Sequence, residues 1–330
     1  MSTEMKVSLS IKEYVLVSMT LILVPIMLLE MFEVLQERSM NQALHDGTPG
    51  MPQFADLLIG GGVSLLLIGA RFAAGKAFVP LARIVLSPKK RLVVNRVHRF
   101  SAVLFKLIYF VVISIVGFKV MQHEPWFPAT LGGDGDVAVT FHIQSEAPSS
   151  ALKYYFMVQL GYHLHSLLFM VCFSPIRNDF IEMLLHHLAT ILLISGSYVT
   201  NYTAFGALVV YTHDLGDITG YGIKSIVDTG RTSLVVAMYM VLLISWAYTR
   251  LYVFPCHLIY TLKMELLHPS GKESFAYPMF AMLCMLLVLH VYWYFLFLVM
   301  GYALVKEGVA EDIQQKVEDS SEDRMENKGD

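Results

Sequence analysis

The sequence predicts an all-α integral membrane protein with about eight transmembrane helices. Of its 330 residues, 55% are hydrophobic and only 15% are charged, whereas soluble domains carry roughly a quarter charged residues. Several apolar runs reach the roughly 20 residues needed to cross a hydrocarbon core. Inside such a core each backbone N–H and C=O must be satisfied within its own segment, so runs of this length are read as helices.

The spans are expected at 14–31, 56–78, 100–121, 153–173, 180–199, 203–227, 234–254 and 277–305. The first is followed by Glu30 and Glu33 and shows no small-x-small cleavage pattern, so it is expected to be retained and not removed as a leader. The link between the second and third spans carries Arg83, Lys89, Lys90, Arg91, Arg96 and Arg99, which places it in the cytosol. Counting outwards, both termini are cytosolic, Arg177 and Arg231 fall in cytosolic links, and 123–150 is lumenal. Asn201-Tyr202-Thr203 has the form of a glycosylation site, but in so tight a connection Asn201 is expected to stay unmodified and to cap the sixth helix.

The net charge of −3 excludes little, but its distribution is informative. Base is concentrated between Arg71 and Arg99, and acid after Lys306. The tail 310–330 lacks apolar periodicity and is expected to be disordered. No soluble module alternates base with exposed aromatics, so nucleic acid is not an expected partner. Cys172, Cys256 and Cys284 are too far apart for a disulfide framework or a CxxC site and read as packing residues. The absence of a visible internal repeat weighs against a secondary transporter.

Ionisable residues at membrane depth carry the functional signal, because each costs about 2.5–3.5 kcal/mol at a helix centre on insertion scales and usually faces a cavity or a partner. The fourth span has His163 and His165, the fifth Glu182, His186 and His187, the sixth His213, Asp214, Asp217 and Lys224, and the eighth His290. On the sixth, helical spacing gathers His213, Asp214, Asp217, Tyr221 and Lys224 along one side. His186 and His187 point about 100° apart, so one can face a cavity while the other braces a neighbour, with Thr190 one turn away. Imidazole beside carboxylate is an acid–base unit, the carboxylate fixing the tautomer. Interhelical hydrogen bonding is the alternative reading, and is preferred for His163, His165 and His290. A di-iron oxygenase would need HxxHH groups, which are absent, so no metal is expected.

The stretch from Arg177 to Lys224, RNDFIEMLLHHLATILLISGSYVTNYTAFGALVVYTHDLGDITGYGIK, resembles the Lag motif of ceramide synthases, the acyltransferase branch of the TLC membrane superfamily. Arg177, Asp179, His186, His187, Asn201, His213, Asp214, Asp217 and Lys224 are among the matching positions. NRVHRFSAVLFKLIYF, EPWF, TRLYVFP and LHVYWYFLFLVMGYALVKEG resemble flanking family segments, so the likeness runs roughly from Arg91 to Asp323. It implies a TLC-type helical barrel enclosing an intramembrane chamber. The chain would then divide into an N-terminal membrane region with two helices, 1–90, a TLC/Lag-type catalytic domain, 91–309, and the acidic tail, 310–330.

The resemblance also implies transfer of an acyl group from acyl-CoA to a sphingoid-base amine in the endoplasmic reticulum membrane, with no cofactor besides acyl-CoA as substrate. His186, His187, His213, Asp214 and Asp217 would be catalytic, and Arg177, Asn201, Lys224 and Trp293 would bind substrate. Asp214 and Asp217 would orient imidazoles or bind the substrate ammonium. A homo- or heterodimer with another TLC subunit is a further expectation. The chain departs from the family pattern at Ala204, where Arg is usual, at Gly216, where Ser is usual, and at Gly220-Tyr221, where Leu-Glu is usual. A lipid-binding or regulatory subunit without turnover is therefore the alternative.

Overall fold

The computed structural model describes residues 11–44, 50–174, 180–267 and 275–307. Arg177 and the acidic tail lie outside the described residues. The long helices are α1 (Ile11–Leu44), α2 (Leu57–Ala77), α4 (Val94–Met121), α5 (Ser150–Phe173), α6 (Phe180–Val199), α7 (Thr203–Ile226), α8 (Thr232–Trp246) and α10 (Ala276–Glu307). Two shorter ones, α3 (Val79–Val85) and α9 (Tyr260–Leu267), complete the set, and no strand occurs among the described residues.

Among the described residues, six helical segments are long and apolar enough to cross a membrane: Phe54–Ala77, Val94–Met121, Ser150–Phe173, Phe180–Val199, Thr232–Leu267 and Ala276–Tyr302. The expected first and sixth spans fall on α1 and α7, which are not among the six. In α7 the apolar run is broken by His213, Asp214, Asp217 and Lys224. Its first ten residues, 203–212, are all buried, so protein and not lipid surrounds that half.

Local sequence explains the joints. Ser149 caps α5, its hydroxyl accepting from the Leu152 N–H at 3.2 Å. Gly60 and Gly161 let α2 and α5 pack closely: a Cβ on Gly60 would stand 2.8 Å from Leu160, and one on Gly161 2.6 Å from Val63. The seventh span does not end at 254 as expected. A π-helical stretch, Ala247–Ile259, absorbs Pro255 and carries the helix on to Leu267. The wider turn avoids the steric conflict that Pro would cause in a regular α-helix.

The connections gather at two ends. At one, Arg96 pairs with Asp228 at 3.4 Å and the Ser87 N–H donates to the Asp228 carbonyl at 3.1 Å. At the other, Asp56 accepts from Lys153 and from the Tyr198 hydroxyl, each at 2.6 Å, tying α2, α5 and α6 together. Asn201, in the left-handed region at φ 64°, belongs to this second end. It does not cap α7, whose preceding residue is Tyr202. Its amide instead donates to the Gln144 and Glu146 carbonyls at 2.6 and 2.7 Å, anchoring the long 122–149 connection.

Candidate active site

A cavity of about 1090 Å³ lies between the helices, lined from α2, α4, α5, α6, α7, α8, the π segment and α10. Its lining runs from Arg96, Lys106 and Lys224 near the first end to Ser197 and Phe205 near the second. His163, His186, His187, His213, Asp214, Asp217, Lys224 and Trp293 all line it. Helix α6 thus presents both adjacent histidines to the cavity, although they point about 100° apart around it. The His186 ring meets the Trp293 indole edge-on at 5.4 Å, and its centroid is 5.7 Å from that of His187. The Thr190 hydroxyl donates back to the His186 carbonyl at 2.8 Å, so it serves the helix and not the rings.

The carboxylates do not orient the imidazoles, contrary to the acid–base pairing read from the sequence. Asp217 accepts from the Arg250 guanidinium at 2.8 Å, and Asp214 accepts from the Gln159 amide and, at 3.5 Å, from the Tyr155 hydroxyl. The reason is competition from neighbouring helices: the three residues share one side of α7, but Arg250 of the π segment and Gln159 and Tyr155 of α5 supply donors that the carboxylates accept from instead. His213 is oriented by the backbone. Its Nδ1 lies 2.6 Å from the Val209 carbonyl, which can only accept. Nδ1 therefore carries the proton and Nε2 the lone pair, with no partner among the described residues.

Arg250 organises this region and was missed in the sequence. It is 2% exposed and donates to three groups: Asp217, the His213 carbonyl at 2.8 Å and His290 Nε2 at 3.0 Å. It also lies over the Trp246 ring at 4.8 Å. Because guanidinium cannot accept, His290 must be the tautomer protonated on Nδ1. Arg250 lies inside the TRLYVFP segment, and an arginine within an apolar span meets the same criterion that selects the histidines. Gln159, Tyr155 and Tyr109 gave no such signal, since uncharged polar residues at membrane depth are common.

Asn201 is not among the lining residues, and its amide is engaged as described above. Tyr221 stacks on Phe110 with centroids 5.4 Å apart, and its hydroxyl accepts from Lys106 at 3.4 Å.

These features define a multi-pass membrane protein whose helices enclose a histidine- and carboxylate-lined cavity. The TLC-domain family profile matches residues 99–299, and the chain belongs to that family. It is 30% identical over 227 residues to ceramide synthase LOH2 of Arabidopsis thaliana, covering 66% of this chain and 74% of that protein. It is 30% identical over 235 residues to ceramide synthase 4 of Mus musculus, covering 70% of this chain and 58% of the relative. With human ceramide synthase 4 it shares 31% over 224 residues, 67% of this chain and 55% of the relative, so it spans little more than half the length of the mammalian proteins.

Proposed function

We propose that this protein is a ceramide synthase-like N-acyltransferase that joins a long-chain sphingoid base to the acyl group of an acyl-CoA. The observation that carries the reading is the convergence of His186, His187, His213, Asp214 and Asp217 on one large, mostly apolar-walled cavity in a chain akin to ceramide synthases. Both substrates carry long alkyl chains, and a cavity within the helices can hold them beside polar groups. Lys106 and Lys224 at one end suit the phosphates of CoA, and Trp293 packs where an acyl chain would pass His186.

In the reaction the substrate ammonium first gives up one proton to water, the amine nitrogen then attacks the thioester carbonyl, the C–N bond forms, the C–S bond breaks, and a second proton from nitrogen ends on the thiolate of CoA. His186 or His187 accepts that proton in direct aminolysis. Alternatively His186 first takes the acyl group as an acyl-imidazole and the amine then displaces it. The neighbouring imidazole N–H stabilises the oxyanion in either route. The protein would lie in the endoplasmic reticulum membrane with α1 and α7 spanning as well, both termini cytosolic, and a second TLC subunit as a dimer partner. A second reading rests on Ala204, Gly216 and Tyr221: a lipid-binding or regulatory subunit without turnover. Purified protein incubated with sphinganine and a panel of acyl-CoAs separates the two. Amide formation supports the enzyme, and its absence at every chain length overturns it.

A further inference from the structure

Asp214 is 1% exposed, and a carboxylate buried so deeply normally has a cation beside it. Asp217, one turn on, has Arg250. Asp214 has none: its two donors, the Gln159 amide and the Tyr155 phenol, are both neutral. Both fall on Oδ2, which leaves Oδ1 without a donor among the described residues while Asp214 lines the cavity.

The donor side is held from behind. The Tyr109 hydroxyl donates to Gln159 Oε1 at 3.2 Å, which fixes the amide with its nitrogen toward Asp214. That nitrogen also donates to the Tyr155 hydroxyl at 3.1 Å. Tyr109 is itself fixed by stacking on Tyr162, centroids 3.8 Å apart. Gln159 is fully buried and does not line the cavity, so it acts only through Asp214. Three neutral side chains from α4 and α5 thus hold one carboxylate of α7 in a single orientation with an unfilled oxygen.

We propose that Gln159 is a positioning residue that presents Asp214 Oδ1 as the acceptor for the ammonium of the long-chain amine, the missing cation of this buried carboxylate. This rests on the N-acyltransferase reading and refines it: Asp217, neutralised by Arg250, is structural support, and Asp214 is the amine-binding group.

The test uses the full-length protein in lipid nanodiscs with sphinganine as the amine. Gln159→Leu removes both donors from the amide, and Tyr109→Phe removes only the contact that fixes its orientation. The first is expected to raise the KM for sphinganine about 10- to 100-fold, as for loss of a hydrogen bond to a charged group. Tyr109→Phe should raise it several-fold, and both should leave the KM for acyl-CoA within about twofold. Direct binding of radiolabelled sphinganine should weaken in parallel. If Gln159→Leu does not fold, Tyr109→Phe carries the test alone. Equal changes for both substrates, or unchanged sphinganine binding in the variants that fold, overturn the proposal. A wild type that binds sphinganine in a Gln159-dependent manner but forms no amide overturns the enzyme reading and leaves the amine site standing. A wild type that binds no sphinganine overturns both.

Discussion

Arg250, from the π-helical segment, reaches Asp217 of α7 at 2.8 Å across the wall of the cavity, with the arginine side chain 3% and the aspartate 31% exposed. The same guanidinium holds the His213 carbonyl, so the turn of α7 carrying His213, Asp214 and Asp217 is clamped to the neighbouring helix at two points. Gly216 packs directly against that guanidinium: a Cβ there would stand 3.0 Å from Arg250 Nε, so the arginine would have to shift slightly to admit one.

Breaking that pair one side at a time should be far worse than removing both. Asp217→Asn or Arg250→Met alone leaves a buried group without its counter-charge, and each is expected to cost about 3 kcal/mol of stability. The Asp217→Asn, Arg250→Met double variant should recover much of the loss in thermal unfolding. Additive destabilisation in the double variant would show that the two charges do not act as a pair.

The histidines should separate catalysis from folding. His186→Ala, His187→Ala and His213→Ala are each expected to lower N-acylation by about 10²–10⁴-fold, the usual worth of a lost proton-transfer group. Unfolding temperatures should change little, because none of the rings makes a hydrogen bond between two helices among the described residues. Near-normal turnover in both His186→Ala and His187→Ala would remove these residues from the chemistry.

Much of this was legible in the sequence. Apolar length located α2, α5, α6 and α10 to within about three residues, while α4 begins six residues before the expected 100 because its first turns carry the basic residues of the link. The histidines and carboxylates announced themselves by the cost of placing them there. What could not be read was their pairing. Asp214 and Asp217 look like partners for His213 on a helical projection, yet Arg250 and Gln159 take them, and those lie 33 and 55 positions away. Periodicity says which residues share a helix side and nothing about which neighbouring helix faces them.

Topology gives an independent check. After replacing Cys172, Cys256 and Cys284, single cysteines at Lys89 and Ser320 should react with a membrane-impermeant reagent in intact microsomes, and one at Asp134 only after permeabilisation. The Arg96–Asp228 pair supports the grouping of the 87–96 and 227–231 connections on one side. Protection of Ser320→Cys would mean that an odd number of helices crosses between Lys89 and the tail.

The departures from the family pattern should prove to be repacking and not decay. Ala204 is 6% exposed within the apolar core, so Ala204→Arg would bury an unpaired cation and is expected to abolish folding. At Tyr221 the phenol already receives the Lys106 hydrogen bond and stacks on Phe110, two roles a carboxylate could fill only in part. Tyr221→Glu would exchange the aromatic contact, about 1 kcal/mol, for an ion pair with Lys106. It should lower N-acylation by less than tenfold. Gly216→Ser is the reversion most easily accommodated. Its Cβ meets Arg250 Nε closely, but that atom has no partner among the described residues, and a serine hydroxyl would supply one. Activity should therefore hold within about threefold in Gly216→Ser, while Gly216→Leu, which has only bulk to offer, should displace the guanidinium and lose it. An inert wild type that gains strong activity from Tyr221→Glu and Gly216→Ser together would reverse this account and point to a partner subunit that has lost turnover.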